Sequence, residues 1–309
     1  MSVPRPEVLV LGAGGILGEA WMGAVLAGLH DATGFDPRRC DHFVGTSAGS
    51  IVAAGLAAGV DPASRLEQLP EQPAAAIEPQ RRRLLLGGAF RFGRAAGTTA
   101  FAPLAALALR STALSGAAVR RATLARVPPG RRSLADLRRA IDELGLEWDG
   151  RLLVVAVELE TGRRVVFGAP GATQVPVAQA VEASCAIPGV FRPIRAGGRT
   201  YVDGGAWSLT NLDLAPVASG TRVLCLNPTG SLSVLPSVRG AVGPLSRSVA
   251  AVESLALQRR GASVTMVAPD AESSRAMGND FMDGRRRAET QRAGFAQGRR
   301  AGADLAAAA

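Results

Sequence analysis

The sequence predicts an α/β fold: a mostly parallel sheet with helices on both of its faces. Three observations predict it. Short apolar runs alternate with longer stretches of helical spacing, the signature of β-α-β units. The apolar runs carry no polar alternation, which marks strands buried on both sides. Two of the runs lead into glycine-bearing loops that open a helix, at residues 12–18 and 45–49.

In chain order, residues 7–11 (Glu-Val-Leu-Val-Leu) read as the first buried strand. It ends in Gly12-Ala13-Gly14-Gly15-Ile16-Leu17-Gly18, and residues 19–30 follow with Trp21, Val25, Leu26 and Leu29 at helical spacing. Strand, glycine loop and helix together present backbone N–H groups to an anion. Residues 41–44 form the second strand and 48–58 the next helix. The stretch at about 61–148 has no clear strand and reads as a helical cap or insertion, with helices near 101–110, 113–126 and 133–144. Within it, Ser133-Leu134-Ala135-Asp136 has the form of a capping box. Arg81-Arg82-Arg83 and Phe90-Arg91-Phe92 set basic beside apolar groups, as a lid against lipid would. An ordinary insertion with solvated arginines explains them equally well.

Strands resume at 151–159 and 163–167 around a Glu160-Thr161-Gly162 turn, then a helix spans 177–186 before Pro188-Gly189. Residues 191–194 and 200–202 flank Gly197-Gly198 as a hairpin that feeds Asp203-Gly204-Gly205. A strand at 221–226, a helix at 245–260, a strand at 263–268 and a closing helix at about 286–305 complete the chain. The whole of 1–309 is read as one domain carrying the cap at about 61–148.

Composition bounds the function. The formal net charge is +9, yet every basic residue is arginine and none gathers into a tract with interleaved aromatics. Solvated surface fits this better than nucleic-acid binding. A basic surface still favours peripheral contact with an anionic membrane. Cys40, Cys185 and Cys225 are odd in number and far apart, so no metal site and no disulfide framework is expected. Free buried thiols and the lack of a signal-peptide pattern in the first residues suit a cytoplasmic protein. Residues 43–60 carry no charge, but their Gly, Ser and Thr content fits a buried strand, turn and helix, not a membrane span.

The chemistry centres on Gly45-Thr46-Ser47-Ala48-Gly49, a G-x-S-x-G pattern between strand and helix. The turn is crowded, so Gly45 and Gly49 leave room that a Cβ would fill. A serine nucleophile needs a base. The chain has two histidines, His30 and His42, and both precede Ser47. The Ser, acid, His order of α/β-hydrolases is therefore impossible. His42 lies in the strand leading to Ser47 and cannot turn back to its hydroxyl. Asp203 is the best remaining candidate. It ends a strand, where side chains face the ligand crevice of an α/β sheet, and Gly204 and Gly205 let the chain turn tightly behind it. Alone, an Asp-Gly is as readily a structural turn.

The three loops in this order resemble the patatin-like phospholipase family. Ala183-Ser184-Cys185-Ala186-Ile187-Pro188 resembles its Ala-Ser-x-Ala-x-Pro block, and residues 201–211 its Asp-Gly-Gly neighbourhood. The resemblance covers the first 60 residues and about 150–305. It implies a three-layer α/β/α fold and a lipid acyl hydrolase of phospholipase A or lysophospholipase type, acting on acyl esters without a cofactor. It also implies a Ser47–Asp203 dyad and an oxyanion hole at Gly14, Gly15 and Ile16, with Gly12 and Gly18 supporting the loop. Asp203 must then be partly desolvated, since an aspartate in water, with a pKa of about 3.9, is a weak base. Two positions depart from the pattern. Ala13 stands for the first glycine of the loop, and Leu17 for an Arg or Lys that helps fix the loop and meets phosphate. Two other readings stay open: a lipid-binding protein without catalysis, and a dinucleotide-binding oxidoreductase. The latter needs an acid at the next strand end, whereas Asp36 is followed by Pro37-Arg38-Arg39.

Overall fold

Continuous apolar segments and glycine-bearing loops produce an eight-stranded sheet clad on both faces. A computed structural model describes residues 5–66, 116–231 and 242–307. The first strand, β1 (Val8–Leu11), leads through residues 12–14 into α1 (Gly15–Thr33). β2 (His42–Thr46) leads into α2 (Ala48–Ala57). Two short helices follow, α3 (Ala117–Leu124) and α4 (Ala135–Asp142). Then come β3 (Leu152–Glu158), β4 (Arg164–Phe167), α5 (Val177–Ser184), β5 (Ile194–Ala196) and β6 (Arg199–Asp203). The chain closes with β7 (Arg222–Leu226), α6 (Val242–Arg259), β8 (Ser263–Val267), α7 (Ala271–Met277) and α8 (Arg287–Ala307).

Strands β3, β2, β1, β7 and β8 run parallel, while β4, β5 and β6 are antiparallel additions around β3. The parallel strands bury both faces because alternate residues feed two cores. Leu9, Leu11, Phe43, Val154 and Leu224 meet α1, α2 and α5 on one side. Val8, Val10, Val44, Val155 and Cys225 meet Leu212 and Leu257 of α6 on the other.

Helix α1 is buried nearly all round, because the sheet covers one side and α8 the other. Glycines allow that second contact. A Cβ on Gly28 would lie 2.2 Å from the Phe295 carbonyl oxygen, and one on Gly298 2.2 Å from that of Val25. Trp21 Nε1 donates to Gln297 Oε1 at 2.9 Å, pinning the register of the pair.

Several boundaries differ from expectation by a residue or two, and one motif is corrected. Ser133 does not build a capping box. Its hydroxyl accepts the N–H of Ala135, two residues on, while Asp136 pairs with Arg139 at 3.0 Å. Leu134 is the residue at the cap, and Leu137 and Ile141 of α4 enter the main core. The expected helix near 101–110 and the Arg81-Arg82-Arg83 and Phe90-Arg91-Phe92 clusters lie outside the described residues. Among the described residues, no helix is long and apolar enough to cross a membrane.

Candidate active site

The site is assembled on one edge of β3. Val155 pairs with Thr46 of β2, and the next residue, Ala156, pairs with Asp203 of β6. On its opposite edge the same stretch pairs with β4. Strands β2 and β6 therefore share an edge and run toward each other until their C-terminal ends abut. Thr46 is followed by Ser47, and Asp203 is itself the end of β6. Two residues 156 positions apart in the chain thus become neighbours through sheet register alone.

Ser47 occupies the sharp turn that the G-x-S-x-G spacing predicts. Its φ is 53° and ψ −122°, a strained left-handed conformation for a residue with a Cβ. The glycines are required by contact. A Cβ on Gly49 would lie 1.9 Å from the Leu11 carbonyl oxygen, and one on Gly45 2.5 Å from Ser50 Cα. The Ser50 hydroxyl donates to the Ser47 carbonyl at 2.6 Å. Ser184 accepts the Ser47 N–H at 2.9 Å and donates to the Val155 carbonyl at 2.6 Å, lashing the turn to β3.

Asp203 is 3% exposed, and its carboxylate accepts the Gly205 N–H at 2.7 Å. Burial pushes its pKa up to about 7, and the interactions with the Ser47 side chain and the Gly205 N–H restrain the rise by favouring the carboxylate. The N–H of Asp203 is held by the Ala186 carbonyl at 3.0 Å. The segment 183–188 therefore grips both ends of the pair, Ser47 through Ser184 and Asp203 through Ala186. Gly204 packs so closely on β3 that a Cβ would lie 2.4 Å from the Val155 carbonyl oxygen.

The glycine-rich loop lies beside this turn, because Leu11 of β1 pairs with Gly45 of β2. Most of its N–H groups are taken: Gly12 by Leu226, Ala13 by Leu209, Leu17 by Phe281 and Gly18 by Gly14, each through a carbonyl. Those of Gly14, Gly15 and Ile16 have no protein acceptor among the described residues. These are the three predicted for an oxyanion hole, and they sit at the start of α1, where its dipole favours negative charge. Gly12, Gly14 and Gly18 are held tight. A Cβ on Gly14 would lie 2.7 Å from Pro228 Cβ, and one on Gly12 2.9 Å from the Leu209 carbonyl oxygen.

Behind Asp203 the chain is fastened by polar groups that the sequence did not single out. Asn211, at φ 49°, donates to Thr46 Oγ1 at 3.1 Å and to the Ser208 carbonyl at 2.6 Å. Arg164 holds Asp213 through two bonds of 2.7 Å and also reaches Asn211 Oδ1. Arg120 of α3, fully buried, donates to the Ala206 carbonyl at 3.1 Å and sits 4.0 Å from the centre of the Trp207 ring. Of these only Asn211 lay within a motif noted in the sequence, residues 201–211, and that motif named no role for it.

The histidines take no part. His42 begins β2, the end remote from Ser47, and His30 hydrogen-bonds the Phe35 carbonyl near the end of α1. Asp36, which a dinucleotide site would need, accepts the N–H and guanidinium of Arg38 in a 3₁₀ turn. Among the described residues, no cluster of His, Cys, Asp and Glu could hold a metal ion. All three cysteines are buried and free, and burial pushes Cys40 up to about 12.

A family model described as Patatin-like phospholipase matches residues 9–216. Among solved structures, VipD from Legionella pneumophila is similar over 98% of this chain and 68% of that one, with 17% identity and a TM-score of 0.42. No curated protein matches.

Proposed function

The chain belongs to the patatin-like phospholipase family of lipid acyl hydrolases, and on that premise we propose that it is a serine esterase of phospholipase A or lysophospholipase type. Ser47 is the nucleophile and Asp203 the base. The observation that supports this reading is the abutment of β2 and β6 on β3, which brings the strand ends that carry Ser47 and Asp203 together.

The steps follow from the geometry. Ser47 Oγ attacks the ester carbonyl as Asp203 takes its proton. The carbonyl oxygen becomes an oxyanion, and the N–H groups of Gly14, Gly15 and Ile16 receive it. One such donor is worth roughly 3 kcal/mol in the transition state. Asp203 then returns its proton to the leaving alcohol, leaving an acyl-serine. Water enters and attacks the acyl carbon as Asp203 accepts a proton from it, and the second oxyanion collapses to release the fatty acid while Asp203 returns that proton to Ser47 Oγ. A carboxylate with a pKa near 7 suits both directions of proton transfer at neutral pH better than an ordinary aspartate.

Leu17 does not supply the cation that the family pattern has at its position. It is fully buried in the main core. We therefore propose that the ester carbonyl, and not a phosphate, is what this loop binds.

Ser47→Ala and Asp203→Asn are each expected to abolish hydrolysis of p-nitrophenyl acyl esters while the far-UV spectrum stays native. Full activity in either variant refutes the dyad. A fluorophosphonate adduct mapped to Ser47 separates an enzyme from a lipid-binding protein. A panel of chain lengths and head groups assigns the substrate type.

A further inference from the structure

The glycine-rich loop is packed against a segment from the far end of the chain, residues 278–287, beyond the part matched to the family. This segment is a built strap. It leaves α7 through Gly278 at φ 63°. Asp280 accepts the Met282 N–H at 3.1 Å and, through its carbonyl, the Asp283 N–H at 3.0 Å. Arg286 folds back to donate to the carbonyls of Ala276 at 2.8 Å and Arg275 at 2.7 Å, which closes the strap on itself.

The strap touches the loop at three points. The Phe281 carbonyl accepts the Leu17 N–H at 3.0 Å. A Cβ on Gly15 would lie 2.9 Å from both Met282 Sδ and the Phe281 carbonyl oxygen. Arg287 donates to Glu19 of α1 at 2.5 Å, and the Glu19 carboxylate is 2% exposed. With Leu17 capped, the neighbouring N–H groups of Gly14, Gly15 and Ile16 are those without an acceptor among the described residues, and the Arg287–Glu19 ion pair ties the end of the strap to α1.

Resting on the reading of this site as an ester hydrolase, we propose that Arg287 and Glu19 are positioning residues for the oxyanion hole. They supply from α8 the loop-fixing cation that Leu17 does not. Neither touches substrate. Their effect is on where three N–H groups point when the oxyanion forms, and an error of about 1 Å there costs up to roughly a hundredfold in rate.

The test is steady-state kinetics on a p-nitrophenyl ester for wild type, Glu19→Gln, Arg287→Gln, the double variant and Arg287→Lys, with thermal midpoints beside them. Each single glutamine variant is expected to lower kcat about tenfold or more with KM nearly unchanged. The double variant should be no worse than the singles, and Arg287→Lys should recover most of the loss. Fluorophosphonate titration of Ser47 counts competent molecules, so rates are compared per folded site. Wild-type kcat in the single variants, or a loss that vanishes per titrated site, overturns the proposal. An inactive wild type would instead defeat the esterase reading itself.

Discussion

At the scale of single residues, the site turns on how Asp203 is made basic. Among the described residues nothing positive is paired with it; its carboxylate accepts the Gly205 N–H and interacts with the Ser47 side chain. Desolvation therefore outweighs hydrogen bonding, and the carboxyl titrates at about 7, not in the ordinary aspartate range. On the proposed mechanism the free protein acts only with Asp203 ionised. We expect kcat/KM for a p-nitrophenyl ester to climb about tenfold per pH unit below 7 and to level above it. A limb centred near pH 4 would mean that Asp203 is solvated, and the burial argument would fail. Ser184 works at the same scale by other means. It carries no charge, but its single hydroxyl bridges Ser47 to β3 and so holds a strained residue in place.

At the scale of elements, the closeness of α1 and α8 matters most, because α1 carries the glycine-rich loop at its start and Glu19 in its first turns. The two helices approach through Gly28, Gly298 and Gly294. A methyl on Gly298 must push the backbones apart, since the nearest atoms belong to the α1 main chain at Val25. Gly298→Ala is expected to cost roughly 1–3 kcal/mol in urea unfolding, as overpacking does, against the small gain that alanine normally gives a helix interior. Equal or greater stability would show that the helices slide apart freely. The same elements show what a sequence can disclose. Gly45 and Gly49 advertised their turn because local sterics dictate glycine at fixed offsets from Ser47. Asp203 emerged because the two histidines stand on the wrong side of Ser47. Ser184, Asn211 and Arg120 were not legible as supports, since their bonds join segments far apart in the chain. The strap was missed for a related reason. Residues 269–285 were assigned no element from the sequence, and only the tertiary fold lays the Phe281 carbonyl on Leu17. Helix α7 is short, and its Ala271-Glu272-Ser273-Ser274 start has no apolar periodicity to announce it.

At the scale of the whole molecule, the buried carboxylate sets function against stability, and the sign can be worked out. Asp203 has a folded pKa raised from 3.8 to about 7, so the native state holds its proton more tightly than the unfolded chain does. Stability from this group is fully present below the unfolded pKa, near 4, and is lost as pH rises through 7. Above that, the molecule carries an ionised, buried Asp203 at a cost on the order of a few kcal/mol. Burial also raises Glu182 and Glu253, which tilt the profile the same way. Salt-bridged Asp36 and Asp270 are lowered and tilt it the other way. All four are common to wild type and Asp203→Asn, so the difference between the two proteins isolates Asp203. Asparagine keeps an oxygen for the Gly205 N–H but cannot ionise. The variant should match wild type at pH 4, gain on it between pH 4 and 7, and stay ahead by a few kcal/mol at pH 8 while inactive throughout. Urea unfolding of both proteins at pH 4 and pH 8 decides it. A gap that is the same at both pH values would show that Asp203 titrates alike in the folded and the unfolded chain, and the burial that raises its basicity would be refuted.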